Sequence, residues 1–569
     1  MGNSRHASLL NTGQHNLQLA DMRWNIVKTK KFTSEPQLHP SPEADDWQYI
    51  SLNVSQEEDG GLDKSLLGLA RSHAEPKGTD LPELPHDVLA LIFWHACQPV
   101  LDARSEYGPR WERTFYPLWL GKISRSWRET AWASSELWEI IVLRINPEKI
   151  GIQTYLLREW FGRAKGRSLD IYIEEPPLPL RTHRLIVPPL RGIHPHVEFL
   201  NLISQHSEQF QRIDLNLPFW LYQYFAKSTS TRPTSKGPAY PSLKYASLKF
   251  QEKEGLPKIP ELGFKEASFL RTLSLSSFRM SPDSLSFCPT KQITRLVLDS
   301  CSNLILKNLF SDFPRLNELT FTKSTFSRSG PIHEGIVHNH LRILNFQFTA
   351  QFFATHRSHL ISLPALESIS ICIGEPLRFI ETQHIPPFLE HSCSILTRLT
   401  LEFLITAELE YKLIDFLSLP AISSLQKLHI REYSIQKNLT RHLLGAGLGR
   451  TFFDVLHPDE DLNYLPHLEI FEYEGLLAVH AIDFIEPLIV RSRIRARSDD
   501  PPSYENSENL GISEGVATLR KLTIKADQHS ELASFSIAEY TDPHYVWEII
   551  QLMEEGVLRL LNMDGSLWE

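Results

Sequence analysis

From Leu243 onward the chain repeats a short unit, Leu-x-x-Leu-x-Leu, in which each leucine position accepts another large apolar residue. It reads LKYASL from Leu243, LRTLSL from Leu270, ITRLVL from Ile293, LNELTF from Leu316, LRILNF from Leu341 and LESISI from Leu366. It continues as LTRLTL from Leu396, LQKLHI from Leu425, LEIFEY from Leu468 and LRKLTI from Leu519. The last two apolar positions of each unit lie two residues apart, as in Leu273 and Leu275 or Leu296 and Leu298. They therefore share one face of a short strand, while the residue between them faces away. No such strand can bury that face alone. Stacking successive units in parallel buries it, each return segment covers the other side, and the product is an open, curved array whose strands line the concave surface.

The steps from Leu243 to Leu425 are 27, 23, 23, 25, 25, 30 and 29 residues. All but one lie inside the range of roughly 20–29 residues for leucine-rich repeats. The returns Leu304–Phe313 and Leu409–Leu419 are apolar at helical spacing. Pro-x-Leu at 241/243, 314/316, 364/366 and 466/468 marks where returns stop, because proline cannot continue a helix interior and biases its predecessor to extended geometry. Two later steps, of 43 and 51 residues, are too long for one repeat. The second contains 495–515, rich in Ser, Asp, Glu, Pro and Asn, which reads as a disordered surface insertion rather than as missing repeats.

The expected fold class is an α/β solenoid: a small helical module followed by a leucine-rich-repeat horseshoe with a parallel concave sheet. The expected divisions are a disordered tail over 1–80, the helical module over 81–143, irregular early repeats or a linker over 144–242, the solenoid over 243–535, and a capping helix within 536–569. For that cap, Val546, Ile549, Ile550, Met553, Val557, Leu560 and Leu561 make one helical stripe over His544–Asn562.

Composition narrows the function. Lys and Arg number 58 against 68 Asp and Glu, a formal charge of -10, so no global basic field exists to capture phosphate backbones and nucleic-acid binding is disfavoured. The longest apolar run, around Leu89–Cys97, is broken by His95, which speaks against a membrane span. The start, MGNSRHASLL, lacks a secretory pattern, and His6 stands where a myristoylation signal wants Ser or Thr. Five cysteines, at 97, 288, 301, 372 and 393, have no paired spacing and suit a reducing compartment, cytoplasmic or nuclear.

Upstream of the repeats, Pro85 and Asp87 open a helix carrying Val88, Leu89, Ile92, Phe93 and Ala96, and a second helix follows with Ile123, Trp127 and Ala131 in register. Two short aromatic-rich helices bury only a modest core, so a partner surface is expected. The segments LPHDVLALIF, from Leu84, and KISRSWRETAWASSELW, from Lys122, resemble an F-box, which opens on Leu-Pro-x-Asp/Glu and ends on Leu-Trp. Ser124 stands where that motif commonly has Cys, and 98–116 lengthens the connection between the first two helices. With the repeats downstream, the chain resembles the divergent F-box proteins of mushroom-forming fungi.

That resemblance implies a substrate-recognition subunit of an SCF-type ubiquitin ligase. It would dock on a Skp-type adaptor, and through it on a cullin, while the repeats hold an unknown target protein. The residues implied for adaptor docking are Leu84, Pro85, Val88, Leu89, Ile92, Phe93, Ile123 and Trp127. For any one of these, Trp127 and also Trp138 above all, membership of the module's own core is an equal alternative. The alternative function is an interaction scaffold that uses the repeats without a ligase.

No catalytic constellation, cofactor or metal site is expected. Gly445-Ala-Gly447-Leu-Gly449 lacks the third glycine and the Lys-Ser/Thr of a phosphate loop and reads as a turn. His333, His338 and His340 read as a solvated connection, as do Asp459-Glu460-Asp461 and the basic run Arg491–Arg497.

Overall fold

The computed structural model describes residues 84–97, 117–176, 195–230, 239–251, 262–280, 285–327, 335–348, 360–372, 385–392, 395–403, 405, 407–432, 447–457, 463–475, 477, 481–493, 517–526, 543–562 and 565–567. The tail expected over 1–80 and the insertion over 495–515 lie outside them.

Fourteen parallel strands among the described residues form one continuous sheet, and each pairs with its neighbours in chain order. They are β1 Ile140–Arg144, β2 Leu169–Glu174, β3 Phe210–Leu217, β4 Tyr245–Phe250, β5 Thr272–Ser276, β6 Arg295–Asp299, β7 Glu318–Thr322, β8 Ile343–Gln347, β9 Ser368–Cys372, β10 Arg398–Phe403, β11 Lys427–Glu432, β12 Ile470–Gly475, β13 Lys521–Ala526 and β14 Leu558–Asn562. Each Leu-x-x-Leu-x-Leu unit from Leu243 to Leu519 supplies one strand, and its paired apolar residues are buried, as Leu273 and Leu275 are beside Leu296 and Leu298. Strictly in-chain-order parallel pairing with one return per strand is the geometry of a leucine-rich-repeat solenoid.

The sheet begins earlier than the repeat motif. Read from the register, β1 completes Trp138-x-x-Ile141-x-Leu143 and β3 completes Phe210-x-x-Ile213-x-Leu215, so aromatic residues take the first apolar place. β2 is hidden differently: the register slips between Leu169 and Asp170, a bulge that lets Leu169 oppose Phe210. The region 144–242 therefore holds regular strands separated by full helices, Ile150–Ala164, Pro195–Gln205 and Phe219–Ser230. The middle repeats have steps too short for such helices and return through 3-10 turns, as at Phe264–Glu266 and Thr290–Gln292, or the short helix Leu306–Asp312. Among the described residues the two long steps each hold one helix, Arg450–Leu456 and Ala481–Arg493, while β11, β12 and β13 pair directly. The cap also differs from the helix expected over His544–Asn562. Its helix, Pro543–Glu554, ends at the left-handed Gly556 (φ 72°), and Leu558–Asn562 turns back as the last strand. There Leu558 and Leu560 are buried as the sheet's last rung.

Just past β5 to β8, the backbone of Ser277, Ser300, Lys323 and Phe348 is left-handed, with φ from 48° to 56°. Each donates its N–H to the next strand's last carbonyl, Ser277 to Asp299 (2.8 Å), Ser300 to Thr322 (2.7 Å), Lys323 to Gln347 (2.8 Å) and Phe348 to Cys372 (2.7 Å). A left-handed residue costs a β-carbon roughly 1–2 kcal/mol, and the hydrogen bond it places between rungs offsets that cost.

Ser277 tests this ladder. A β-branched side chain fits φ 56° worst, so Ser277→Val is expected to lower unfolding stability in urea by about 1–2 kcal/mol, while Ser277→Gly stays within about 1 kcal/mol of wild type.

Candidate functional site

Among the described residues, two surfaces present ordered rows of side chains: the outer face of the N-terminal helical module and the concave face of the sheet. In the module the helix His86–Cys97 divides its apolar residues between two sides. Leu89 and Phe93, one turn apart, point inward and are buried. Val88, Leu91 and Ile92 lie on the outer side of the helix and are 41–58% exposed, and Leu84, 54% exposed, stands just before its start. The single stripe expected from sequence is therefore two faces, and Leu89 and Phe93 belong to the core rather than to a docking surface. Pro85 is exposed as well, and Ile123, 61% exposed, precedes the second helix, Arg125–Ala133. Trp127 is half-buried, its ring centroid 4.8 Å from that of Phe93. Trp94 and Trp119, which the sequence reading did not select, are 37% and 39% exposed; only solvent exposure marks them out.

Ser124 has a local role of its own. It is the N-cap of the second helix and accepts a hydrogen bond from the Trp127 N–H at 3.1 Å, a bond that a cysteine would make poorly. His86 Nδ1 lies 2.6 Å from Thr130 Oγ1 and joins the two helices. Trp138 is fully buried. Its indole donates to the Ala131 carbonyl (2.9 Å), and its own carbonyl accepts from the Trp160 indole (2.9 Å) on the first return helix. Arg163 stacks on both Trp132 and Trp138, at 4.5 and 4.8 Å. The module is thus continuous with the first repeat, and 84–569 is one compact unit.

The concave face carries three rows of outward residues. Its central row, followed rung by rung from β2, is Tyr172, Asp214, Ser247, Ser274, Val297, Thr320, Asn345, Ser370, Thr400, His429, Glu472 and Thr523. The middle is small and mostly hydroxyl-bearing. At β10 to β13 charges alternate and are matched: Glu472 contacts Lys427 (2.8 Å) and Lys521 (2.7 Å), and Glu474 contacts Arg431 (3.1 Å) and Lys525 (3.4 Å). Burial raises the Glu472 carboxyl, but the two lysines outweigh it and bring it down to about 2.

The opposite end is not matched in this way. The Arg212 guanidinium stacks on Tyr245 (3.9 Å) and Tyr172 (5.2 Å). Its Nε, and the hydroxyl of Tyr172, are buried without a hydrogen-bond partner. Burial pushes the Asp214 carboxyl up to about 6 against the pull of Arg212 and Ser247, and it raises Asp170 as well.

The remaining sequence candidates are structural. His338 lies in the core, its Nε2 on the Phe313 carbonyl (2.9 Å) and its Nδ1 accepting from the Leu341 N–H (3.2 Å), and burial lowers its pKa. His333, Gly445, Cys393 and Asp459–Asp461 lie outside the described residues. Gly449 begins the helix Arg450–Leu456, whose Phe452 N–H donates to Glu410 (2.8 Å), so this chain's own carboxylate fills that helix start. Arg491 is not solvated. It is buried and donates to the carbonyls of Tyr464 (3.2 Å) and Leu465. Among the described residues, no group of His, Cys, Asp or Glu could hold a metal ion, and no helix is long and apolar enough to cross a membrane.

No family model matches the sequence, and no curated protein does. Among solved structures, the leucine-rich repeat domain of APL1B is 14% identical, covers 69% of this chain and 90% of its own length, and has a TM-score of 0.23. The APL1 leucine-rich repeat domain is likewise 14% identical, covering 68% and 86%, with a TM-score of 0.24. Likenesses this weak carry no argument, and the solenoid is established by the strand ladder itself.

Asp214 yields a pH-dependent prediction. The fold favours its neutral form, so its contribution to stability is full below the ordinary carboxylate pKa of about 4 and is lost as pH rises through 6. Asp214→Asn is expected to raise the denaturant midpoint at pH 7.5, and the gain should vanish by pH 4.

Proposed function

We propose that this chain is the substrate-recognition subunit of an SCF-type ubiquitin ligase, docking a Skp-type adaptor, and through it a cullin, with its N-terminal module and holding a target protein on its repeats. The observation that carries the reading is the outward row Val88, Leu91 and Ile92 on a helix whose Leu89 and Phe93 already fill the core, with Leu84 exposed just before the helix starts. A small module has little reason to expose four large aliphatic residues on and just before one helix unless another surface covers them. Their position at the start of a segment that resembles an F-box supports the adaptor as that surface.

The repeats supply a second, larger surface whose rows are set at fixed spacing by the strand register, as a protein-interaction scaffold requires. The chain itself would perform no covalent chemistry. It would raise the target's effective concentration beside the ubiquitin-loading enzyme. The Skp-type adaptor, a cullin and a target protein are the proposed partners, in the cytoplasm or nucleus, with no nucleic acid, membrane or cofactor involved.

The test uses exposed positions. Val88→Asp with Ile92→Asp is expected to abolish co-purification with a Skp-type adaptor at micromolar concentration while leaving the circular dichroism spectrum and unfolding midpoint unchanged. Leu89→Asp, by contrast, buries a carboxylate in the core and is expected to destabilise the module by several kcal/mol, about the cost of an unpaired buried charge. If the intact chain does not bind the adaptor at that concentration, the ligase role is lost and an interaction scaffold without a ligase remains.

A further inference from the structure

The residues that immediately precede the strands form a row along one rim of the concave face. Backbone hydrogen bonds set its members side by side: Arg271 donates to the Lys244 carbonyl (3.0 Å), Thr294 to that of Arg271 (2.8 Å), Asn317 to that of Thr294 (2.8 Å) and Arg342 to that of Asn317 (2.9 Å). Further along, Glu367 donates to the Arg342 carbonyl (2.9 Å) and Arg520 to that of Glu469 (2.8 Å). Those last two neighbours have opposite charges and pair, Arg342 with Glu367 (3.5 Å) and Arg520 with Glu469 (3.5 Å). Just before β4 and β5 the neighbours are instead two cations, Lys244 and Arg271, both exposed and neither in an ion pair.

Like charges on adjacent strands repel, and one carboxylate would relieve them, as Glu367 and Glu469 do on their own rungs. The neighbouring acids are otherwise engaged. Glu318 pairs with Arg295 (3.1 Å), and Asp170, two rungs away on β2, is half-buried and drawn to Arg212 as well as to Lys244. Glu266 shares its turn with Lys265. A third exposed cation, Lys291, stands on the turn Thr290–Gln292, and Gln292 donates to the Ala267 carbonyl (2.5 Å), which holds that turn beside the stretch leading into β5. In that stretch Phe269 is 57% exposed, and Arg271 Nη1 donates to the carbonyls on either side of it, Ser268 (3.2 Å) and Leu270 (3.4 Å). A bare aromatic side chain thus stands beside uncompensated positive charge, on a chain whose formal charge is -10.

We infer that the rim leading into β4 and β5 is a docking site for an acidic segment of a protein partner, one that carries Asp or Glu residues beside a large apolar side chain. Carboxylates of the segment give Lys244 and Arg271 the opposite charge that Glu367 and Glu469 provide elsewhere in the row, and Lys291 is a third contact. The apolar side chain covers Phe269, an anchor that charge alone would not supply. Adjacent strands lie ~4.8 Å apart, and alternate residues of an extended segment lie roughly 6–7 Å apart on one side, within reach of the long Lys244 and Arg271 side chains. This rests on the reading of the repeats as a protein-interaction surface and makes no use of the adaptor-docking helix.

The experiment selects a phage-displayed library of random peptides on the immobilised full-length chain and titrates the enriched peptides by fluorescence anisotropy, with no adaptor present. Enriched sequences are expected to hold two or more Asp or Glu beside a large apolar residue. Their binding is expected to fall about tenfold when Lys244→Glu and Arg271→Glu are combined, about threefold with Phe269→Ser, and not at all with Arg520→Gln further along the rim. It should also weaken as salt rises from about 50 to about 300 mM. All four positions are exposed, so the variants keep the fold, which unfolding curves check. Peptides enriched without acidic residues, or bound by the double variant as tightly as by wild type, would overturn the rim site and leave the interaction scaffold standing. No enrichment at all would overturn both. Displacement by millimolar inorganic phosphate, or by a single-stranded oligonucleotide as effectively as by unlabelled peptide, would overturn it in favour of a general anion site. None of these outcomes depends on whether the helical module binds an adaptor.

Discussion

Each strand of this molecule carries two inward apolar side chains that it cannot bury by itself, and nearly every other feature follows from how neighbouring strands relieve that condition. Leu273 and Leu275 are covered only because Ala246 and Leu248 lie on one side and Leu296 and Leu298 on the other. Parallel stacking in chain order is the arrangement that does this for every rung at once, and the steps of 23 to 30 residues leave room for one return per strand. The left-handed residues after β5 to β8 belong to the same solution, since each places an N–H on the neighbouring rung where a strand ends. The outward residues between the buried ones form the exposed rows of the sheet.

Those outward residues do not form a uniform surface. At the C-terminal end acids and bases interlock across rungs, so that Glu472 sits between two lysines and is held ionised to about pH 2. Such a network ties neighbouring rungs of the sheet together. At the N-terminal end Arg212 is held by tyrosine rings, and burial rather than pairing governs Asp170 and Asp214.

The helical module shows how far periodicity alone can be trusted. A stripe at i, i+1, i+4, i+5 is wide enough to serve a core or a partner, and the sequence contains no sign of which half does which. Packing against the second helix, Arg125–Ala133, and the turn Ser135–Trp138 takes Leu89 and Phe93 and leaves Val88 and Ile92 outside. Trp138 closes the F-box-like segment and also fills the first apolar place of the first repeat, so module and solenoid share one core where the sequence suggested two neighbours.

By itself the sequence determined the repeat, its direction of stacking and the class of surface it would present, because a period-two apolar pair at a regular step has few ways to be buried. It did not reveal β1 to β3, where tryptophan, phenylalanine and a bulge replace the leucines, since recognising them requires the register of the neighbouring rung. Nor could it separate Arg491, buried against two backbone carbonyls, from the rest of the basic run it begins, or find Tyr172 and Arg212, which sit 40 positions apart in the chain and meet only across the β2–β3 ladder. Burial and partnership of polar groups are properties of neighbours in space, and only the tertiary structure decides who those neighbours are.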